Sequence, residues 1–500
     1  MLIRLKRTHK DAICHSHGHH SHDHDPSRRA FLRRGLATGI ATVVFSRTMV
    51  DDAMAALPPS CPQPMLAKGA LAQIFSEGGP TMGARFIGDD QATSMNATMA
   101  ANYGISGQAN LVSIGNLRVD KTSPFGATLL QGPPGYTSAQ WQAVLARVSG
   151  GGHRGQFNQD DGGGVDTGLL GGASPFKSSQ IGKDIRIANS NKLATWANGL
   201  PSSLVKTATP ANLAKVFSLT PAAGTFTNSS SMTASADAAT ALGQVLTRVF
   251  GIDKRKGGSE VLAATSCGFY GSAALADPNY GLNLFTPANV PALAGIAGAT
   301  TSTDAAGSTI TNTFSTQELA LLAAFYQSGA GVAGGVFIEY FGRDYHGQDP
   351  QGVIAPRDIE EARAIVMFLA ACDKAQSRGA MIYLSNGQAI AAGAQQTANT
   401  IGGNAVTLNS PIADGDAGGS YNAGLILFYD PAGSPPAARF TGKVDLNGNV
   451  KTDSRIASSR DAVAGLYLSA LQHIGADVGK ATAAMQKVGI AGTPSALMLF

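Results

Sequence analysis

Short apolar runs that stop abruptly at turn residues constrain this chain more than any other feature. ALAQIF at 70–75 ends at Glu77-Gly78-Gly79-Pro80, and GVFIEY at 335–340 runs into Phe341-Gly342-Arg343-Asp344. AMIYL at 380–384 and LILFY at 425–429 have the same character. Runs this short, carrying almost no charge, read as strands buried on both faces of a sheet. A further strand is expected over 110–115. The stretches between these runs carry helical signals. The strongest spans 356–377, with Pro356 near N1, Asp358, Glu360 and Glu361 in its first turns, and Lys374 and Arg378 at its end. Other helices are expected over 140–148, over 236–250, over 316–326 with Thr316 as N-cap ahead of Glu318, and over 459–474 as the last before a C-terminal tail. Strands alternating with helices predict an α/β fold, a layered sheet with helices on both faces.

Glycine and small polar residues punctuate this pattern. Residues 150–172 (GGGHRGQFNQDDGGGVDTGLLGG) are the most Gly-rich segment and are expected to form a surface loop over a site. Residues 225–233 and 295–313 read as polar loops. KVDLNGNVKT at 443–452 reads as a hairpin with Asn447-Gly448 at its turn. Asp445, Asn447 and Asn449 have a calcium-loop spacing, but Val450 stands where an EF-hand needs glycine.

The N-terminal segment has a separate logic. Ser27-Arg28-Arg29-Ala30-Phe31-Leu32-Arg33 resembles the bacterial twin-arginine export motif, with Arg28, Arg29, Phe31 and Leu32 as its signature. A weakly apolar stretch over 35–46 follows, and Ala53-Met54-Ala55 supplies the small-x-small pattern of a signal-peptidase site. Residues 1–55 are thus expected to be a signal peptide, 56–64 a Pro-rich linker, and 65–500 a single α/β domain. The apolar stretch is shorter than the roughly 20 residues a bilayer-spanning helix needs, so no stable transmembrane segment is expected after cleavage. The resemblance implies the twin-arginine translocase as a partner during export, and a periplasmic or extracellular location. It also implies that the chain folds before it crosses the membrane.

Removing residues 1–55 changes the charge balance. They hold nine of the 37 Lys and Arg residues and five of the 33 Asp and Glu residues, leaving 28 of each sign. A neutral chain lacks the basic surface that a nucleic-acid partner needs. Seven of the ten histidines also lie in this leader, which leaves His153, His346 and His473. The tract HSHGHHSHDHD at 15–25 has metal-binding composition but falls in the part to be removed. Cys61, Cys267 and Cys372 remain, an odd number with no CxxC spacing, and whether Cys267 and Cys372 pair stays open.

In sheets of this kind, sites collect where loops leave the carboxyl ends of strands. Three loops qualify: 77–85, 344–348 and 414–421. Asp344 and His346, spaced D-x-H directly after a strand, could ligate a metal or couple a carboxylate to an imidazole. Thr81, just after Gly78-Gly79-Pro80, could act as a nucleophile or simply close a tight turn. Asp414 and Asp416 could offer oxygen ligands to a cation. His153 and His473 have no evident partners.

The twin-arginine motif, Glu77-Gly78-Gly79-Pro80-Thr81 after a first strand, and Phe341-Gly342-Arg343-Asp344-Tyr345-His346-Gly347-Gln348 after a later one occur together in this order. In this the chain is similar to a family of uncharacterised twin-arginine-exported bacterial proteins related to sulfatases, in the alkaline-phosphatase superfamily. That resemblance covers roughly residues 65–480. It implies an alkaline-phosphatase/sulfatase-like fold and a site in which one divalent metal ion is held by Asp344, His346 and Asp416 beside a Thr81 nucleophile. The chain departs from the pattern at Ala417, where the family's late Asp-His pair would place histidine. Three readings follow. The leading one is an exported protein with a degenerate site and a role in binding or envelope assembly. The others are a metal-dependent phosphate or sulfate ester hydrolase, and a surface structural protein.

Overall fold

The computed structural model describes residues 69–76, 78–81, 84–155, 185–188, 204–205, 207–217, 278–331, 333–340, 342–345, 354–385, 389–416, 423–456, 459–476, 478–487 and 494–500. The expected leader and the expected linker lie outside the described residues, as does the helix expected over 236–250.

The expected apolar runs become the centre of one mixed sheet. Its strands in chain order are β1 (Ala70–Ser76), β2 (Val148–Arg154), β3 (Ile185–Ala188), β4 (Leu204–Val205), β5 (Val336–Tyr340), β6 (Gly379–Ser385), β7 (Ala423–Tyr429) and β8 (Phe440–Thr441). Across the sheet they lie in the order β8-β2-β7-β6-β1-β5-β3-β4. β1 pairs in parallel with both β5 and β6, while β7 is antiparallel to β6 and to β2, and β8 is parallel to β2.

β1 is buried along its whole length and its side chains divide between the two faces by the period-2 rule. Ala70, Ala72 and Ile74 join a core beneath helices α1 (Pro124–Gln131), α2 (Thr316–Gly329) and α3 (Ala355–Ala375). Leu71 and Phe75 join the opposite core, beneath α4 (Ser459–His473). Helices therefore cover both faces, as the alternation predicts. Gln73, also facing α4, is satisfied there by the hydroxyl of Tyr467, which donates to its side-chain oxygen. α3 is buried from Ala362 to Cys372 except for a small exposure of Arg363, so it is a core helix and not a surface one. It ends at Gln376, whose φ of 48° makes a left-handed cap.

Several expectations change. The glycines of 150–152 do not form a loop: they are the middle of β2, buried between β7 and β8. The reason is steric. A Cβ on Gly151 would stand 2.5 Å from the carbonyl oxygen of Arg439, and one on Gly152 would stand 2.5 Å from that of Gly424. Neighbouring backbones approach so closely that only glycine fits, and the rest of the Gly-rich segment lies outside the described residues. The expected strand at 110–115 forms as Leu111–Ile114 but pairs in a small separate sheet with Leu117–Asp120. The expected 140–148 helix is Ser138–Leu145, ending where β2 is about to begin. Residues 295–313 contain the end of a helix, Pro291–Ala297, and a hairpin of Thr301–Thr303 with Thr309–Thr311. α2 is capped by Ser315 in place of Thr316: its hydroxyl accepts from the Glu318 amide, and the Glu318 side chain accepts from the Ser315 amide. The 459–474 helix is not the last, since Val478–Lys487 follows it.

Candidate functional site

The carboxyl ends of β1, β5 and β6 converge on the first turns of α3, and four elements send ionisable side chains to that point. Asp358 and Glu361 stand three residues apart and so share a face of α3. Arg85 comes from the segment after β1, Arg343 and Tyr345 from the segment after β5, and Tyr383 from β6. Arg85 donates to Asp358 at 2.8 Å and lies 3.1 Å from Glu361. Arg343 donates to Glu361 at 2.9 Å and pairs with Glu360 at the rim. Ser76 and Tyr383 each donate a hydroxyl hydrogen bond to Glu361, and Tyr345 donates one to Asp358 at 3.1 Å. The Arg85 guanidinium also lies over the Tyr383 ring at 5.3 Å.

Arg85, Asp358, Glu361, Tyr345 and Tyr383 are at most 1% exposed. Burial at this depth is tolerable only because the charges cancel and the lone pairs are used. Burial tends to raise the pKa of Glu361, but Arg85 and Arg343 outweigh it and hold the carboxyl below its usual range. Burial pushes Asp358 up, against the opposing pull of Arg85. Burial raises Tyr345 and Tyr383 well above the ordinary phenol value, so both remain donors. Each Glu361 oxygen meets two partners, Ser76 and Arg343 at one, Tyr383 and Arg85 at the other. That is the capacity of a carboxylate, and nothing on Glu361 is left for a metal or a substrate.

Of the expected site residues, Thr81 and Asp344 lie on the segments that also carry Arg85 and Arg343. Thr81 is 2% exposed, and its Oγ1 has no hydrogen-bond partner among the described residues. Its carbonyl accepts from the Ala84 amide at 3.0 Å, so the tight turn is present. The segments carrying Thr81 and Asp344 pack against each other: the Tyr345 amide donates to the Gly79 carbonyl at 3.2 Å. A Cβ on Gly78, at φ 119°, would fall 2.3 Å from the Asp344 nitrogen. Asp344 itself is exposed. His346 lies outside the described residues, with Ala417. Asp414 and Asp416 do not sit in a loop. They end the strand Asn404–Asp416, which pairs antiparallel with Ala389–Ile401; Asp416 is opposite Ala389, and Asp414 sits at a register shift. Among the described residues, no group of three His, Cys, Asp or Glu side chains could hold a metal ion.

The two other histidines beyond residue 55 have partners that the sequence concealed. His153 is buried in β2 with Nδ1 2.8 Å from the Thr441 hydroxyl, and burial lowers its pKa to about 4. His473 ends α4 with Nε2 2.9 Å from the Tyr429 carbonyl, and burial lowers its pKa as well. Cys372 is buried in α3, while Cys61 and Cys267 lie outside the described residues. Asp445 caps its own hairpin, accepting from the Asn447 and Asn449 amides at 2.8 and 2.9 Å, so its turn is explained without calcium.

Compared with known proteins, the chain matches no protein-family model, no curated protein and no solved structure.

Among the network residues, Asp358, Glu360 and Glu361 read from sequence only as favourable charges at a helix N-terminus. Arg85 and Arg343 had one available signal, since both follow an apolar strand in a chain where charged residues are only 14% of the total.

Proposed function

We propose that this is an exported protein with an alkaline-phosphatase/sulfatase-like fold whose site is degenerate, and that its role is binding or envelope assembly outside the cytoplasm. One observation carries this reading. At the carboxyl ends of the central strands, where a hydrolase of this kind would place its reacting groups, Arg85, Arg343, Asp358 and Glu361 neutralise one another and saturate Glu361. Charges held this way fasten loops to a helix; they do not present themselves to a ligand.

The test is metal analysis of the exported protein together with assays on an aryl phosphate and an aryl sulfate. The expected result is no stoichiometric metal and no turnover. Metal lost in His346→Ala, or turnover lost in Thr81→Ala, would overturn the degenerate reading. Export is tested separately. Replacing Arg28 and Arg29 by Lys should leave the chain in the cytoplasm with its leader attached.

One observation favours the hydrolase as a second reading. The Thr81 hydroxyl is buried without a partner among the described residues, in a segment packed against Arg343-Asp344-Tyr345. A buried hydroxyl left unsatisfied costs roughly 1–3 kcal/mol, a cost that a nucleophile repays and a turn residue does not. Thr81→Val separates the two: it is neutral or stabilising if the residue is structural, and abolishes turnover if Thr81 is the nucleophile.

A further inference from the structure

A second charged region lies at the same edge of the sheet and is built on the opposite principle. β8 runs parallel to β2, and two successive antiparallel pairings relate β2 to β6, so β8 points the same way as β1. Its carboxyl end is four strands from β1, or about 19 Å at the usual strand spacing. Beyond β8 the chain forms the hairpin Lys443–Val444 with Val450–Lys451. Residues 439–443 and 451–455 wall a cleft of about 600 Å³.

Four cations line it, Arg439, Lys443, Lys451 and Arg455, against one carboxylate, Asp453. Arg455 neutralises Asp453 with a two-pronged contact, Nε at 3.0 Å and Nη2 at 2.6 Å, and holds its carboxyl down to about 2. Arg439, Lys443 and Lys451 form no ion pair among the described residues. Lys443 and Lys451 are also direct cross-strand partners. Like charges placed opposite each other destabilise a hairpin. The hairpin nonetheless packs closely against the end of β2. Gly442, at φ 79°, lets it press so close that a Cβ there would meet the carbonyl oxygens of Arg154 and Lys451 at 2.8 and 2.9 Å.

We propose that this cleft binds a small multivalent anion carrying phosphoryl or sulfuryl oxygens. A guanidinium offers such oxygens a fork of donors and the two ammonium groups offer point charges. The volume suits a small ligand. The neutral balance of residues 56–500 makes the charge local to the cleft, which disfavours an extended polyanion. The proposal stands on the cleft alone and does not depend on how the network beneath β1 is read.

Calorimetric titration of the leader-free protein with inorganic pyrophosphate and, separately, with inorganic sulfate tests it. The expected result is one site, weakened at least tenfold in Lys451→Gln and in Arg439→Gln, and unchanged in Lys121→Gln, which removes an exposed charge outside the cleft. Tighter binding of pyrophosphate identifies the ligand group as phosphoryl, and tighter binding of sulfate identifies it as sulfuryl. No binding of either ion would overturn the proposal. So would equal weakening in Lys121→Gln and Lys451→Gln, which would mean general attraction. Lys451 and Lys121 are exposed, and unchanged circular dichroism of each variant establishes that it has folded.

Discussion

Arg85 and Lys451 lie at the same edge of one sheet and meet opposite surroundings. Arg85 is fully buried, with Asp358 and Glu361 within ion-pair distance and an aromatic ring beneath it. Lys451 is exposed, faces Lys443 across a hairpin, and has no counter-ion among the described residues. A buried charge that lost its partner would be very costly, so the first region is closed and self-satisfied. Water screens the second, so the structure can hold an unbalanced charge there at little cost. Internal neutrality suits cohesion, whereas an uncompensated exposed cluster suits recognition.

The largest expected effect breaks the buried side of this contrast. Glu361→Ala would leave Arg85 and Arg343 without their shared carboxylate, and urea denaturation should show a loss of roughly 3–5 kcal/mol. A loss below about 1 kcal/mol would mean that the network does not hold the loops to α3. Next comes His153, which lies between the two regions on β2. Its pKa is lowered to about 4 in the folded protein. The unfolded chain therefore takes up a proton near pH 6.5 while the folded chain resists until about 4. Stability is full above pH 6.5 and should fall by up to about 3 kcal/mol on acidification to pH 4. Denaturation midpoints measured across that window should flatten in His153→Gln. His473 shifts the same way, so some slope will persist.

Gly151→Ala joins the two regions, because its Cβ would meet the carbonyl oxygen of Arg439 at 2.5 Å. It should cost roughly 1–3 kcal/mol through overpacking and, by displacing Arg439, also weaken anion binding. The smallest effect carries the opposite sign. Lys451→Thr relieves the like-charge pair and should stabilise the hairpin by roughly 0.2–1 kcal/mol, seen as a small rise in thermal midpoint, while lowering anion affinity. A variant that is both less stable and unaltered in binding would show that the lysine pair serves the fold.

Sequence legibility followed the same division between local and distant causes. The runs at 70–75, 335–340, 380–384 and 425–429 became β1, β5, β6 and β7 because burial on both faces demands uninterrupted apolar side chains. α3 was visible through Pro356 and the charges at its ends. The paired strands Ala389–Ile401 and Asn404–Asp416 were not, since Ala, Gln, Thr and Asn give no clear alternation, and Asp414 and Asp416 read as loop residues in consequence. Gly150–Gly152 misled for the complementary reason. A glycine's place in a strand is set by what presses against it, and that came from Arg439 and Gly424, nearly 300 residues away in the chain.

Sequence alone determined the alternation of buried strands and helices, the neutral balance beyond residue 55, and the Asn447-Gly448 turn. These depend on side-chain chemistry within one element or on a count. Only the tertiary structure decided that Asp358 and Glu361 of α3 meet Arg85 and Arg343, and that three cations with no ion pair among the described residues share a cleft with a neutralised Asp453. Both arrangements depend on which loop ends lie side by side along the sheet. Strand order sets that, through contacts between residues far apart in the chain that no local pattern records.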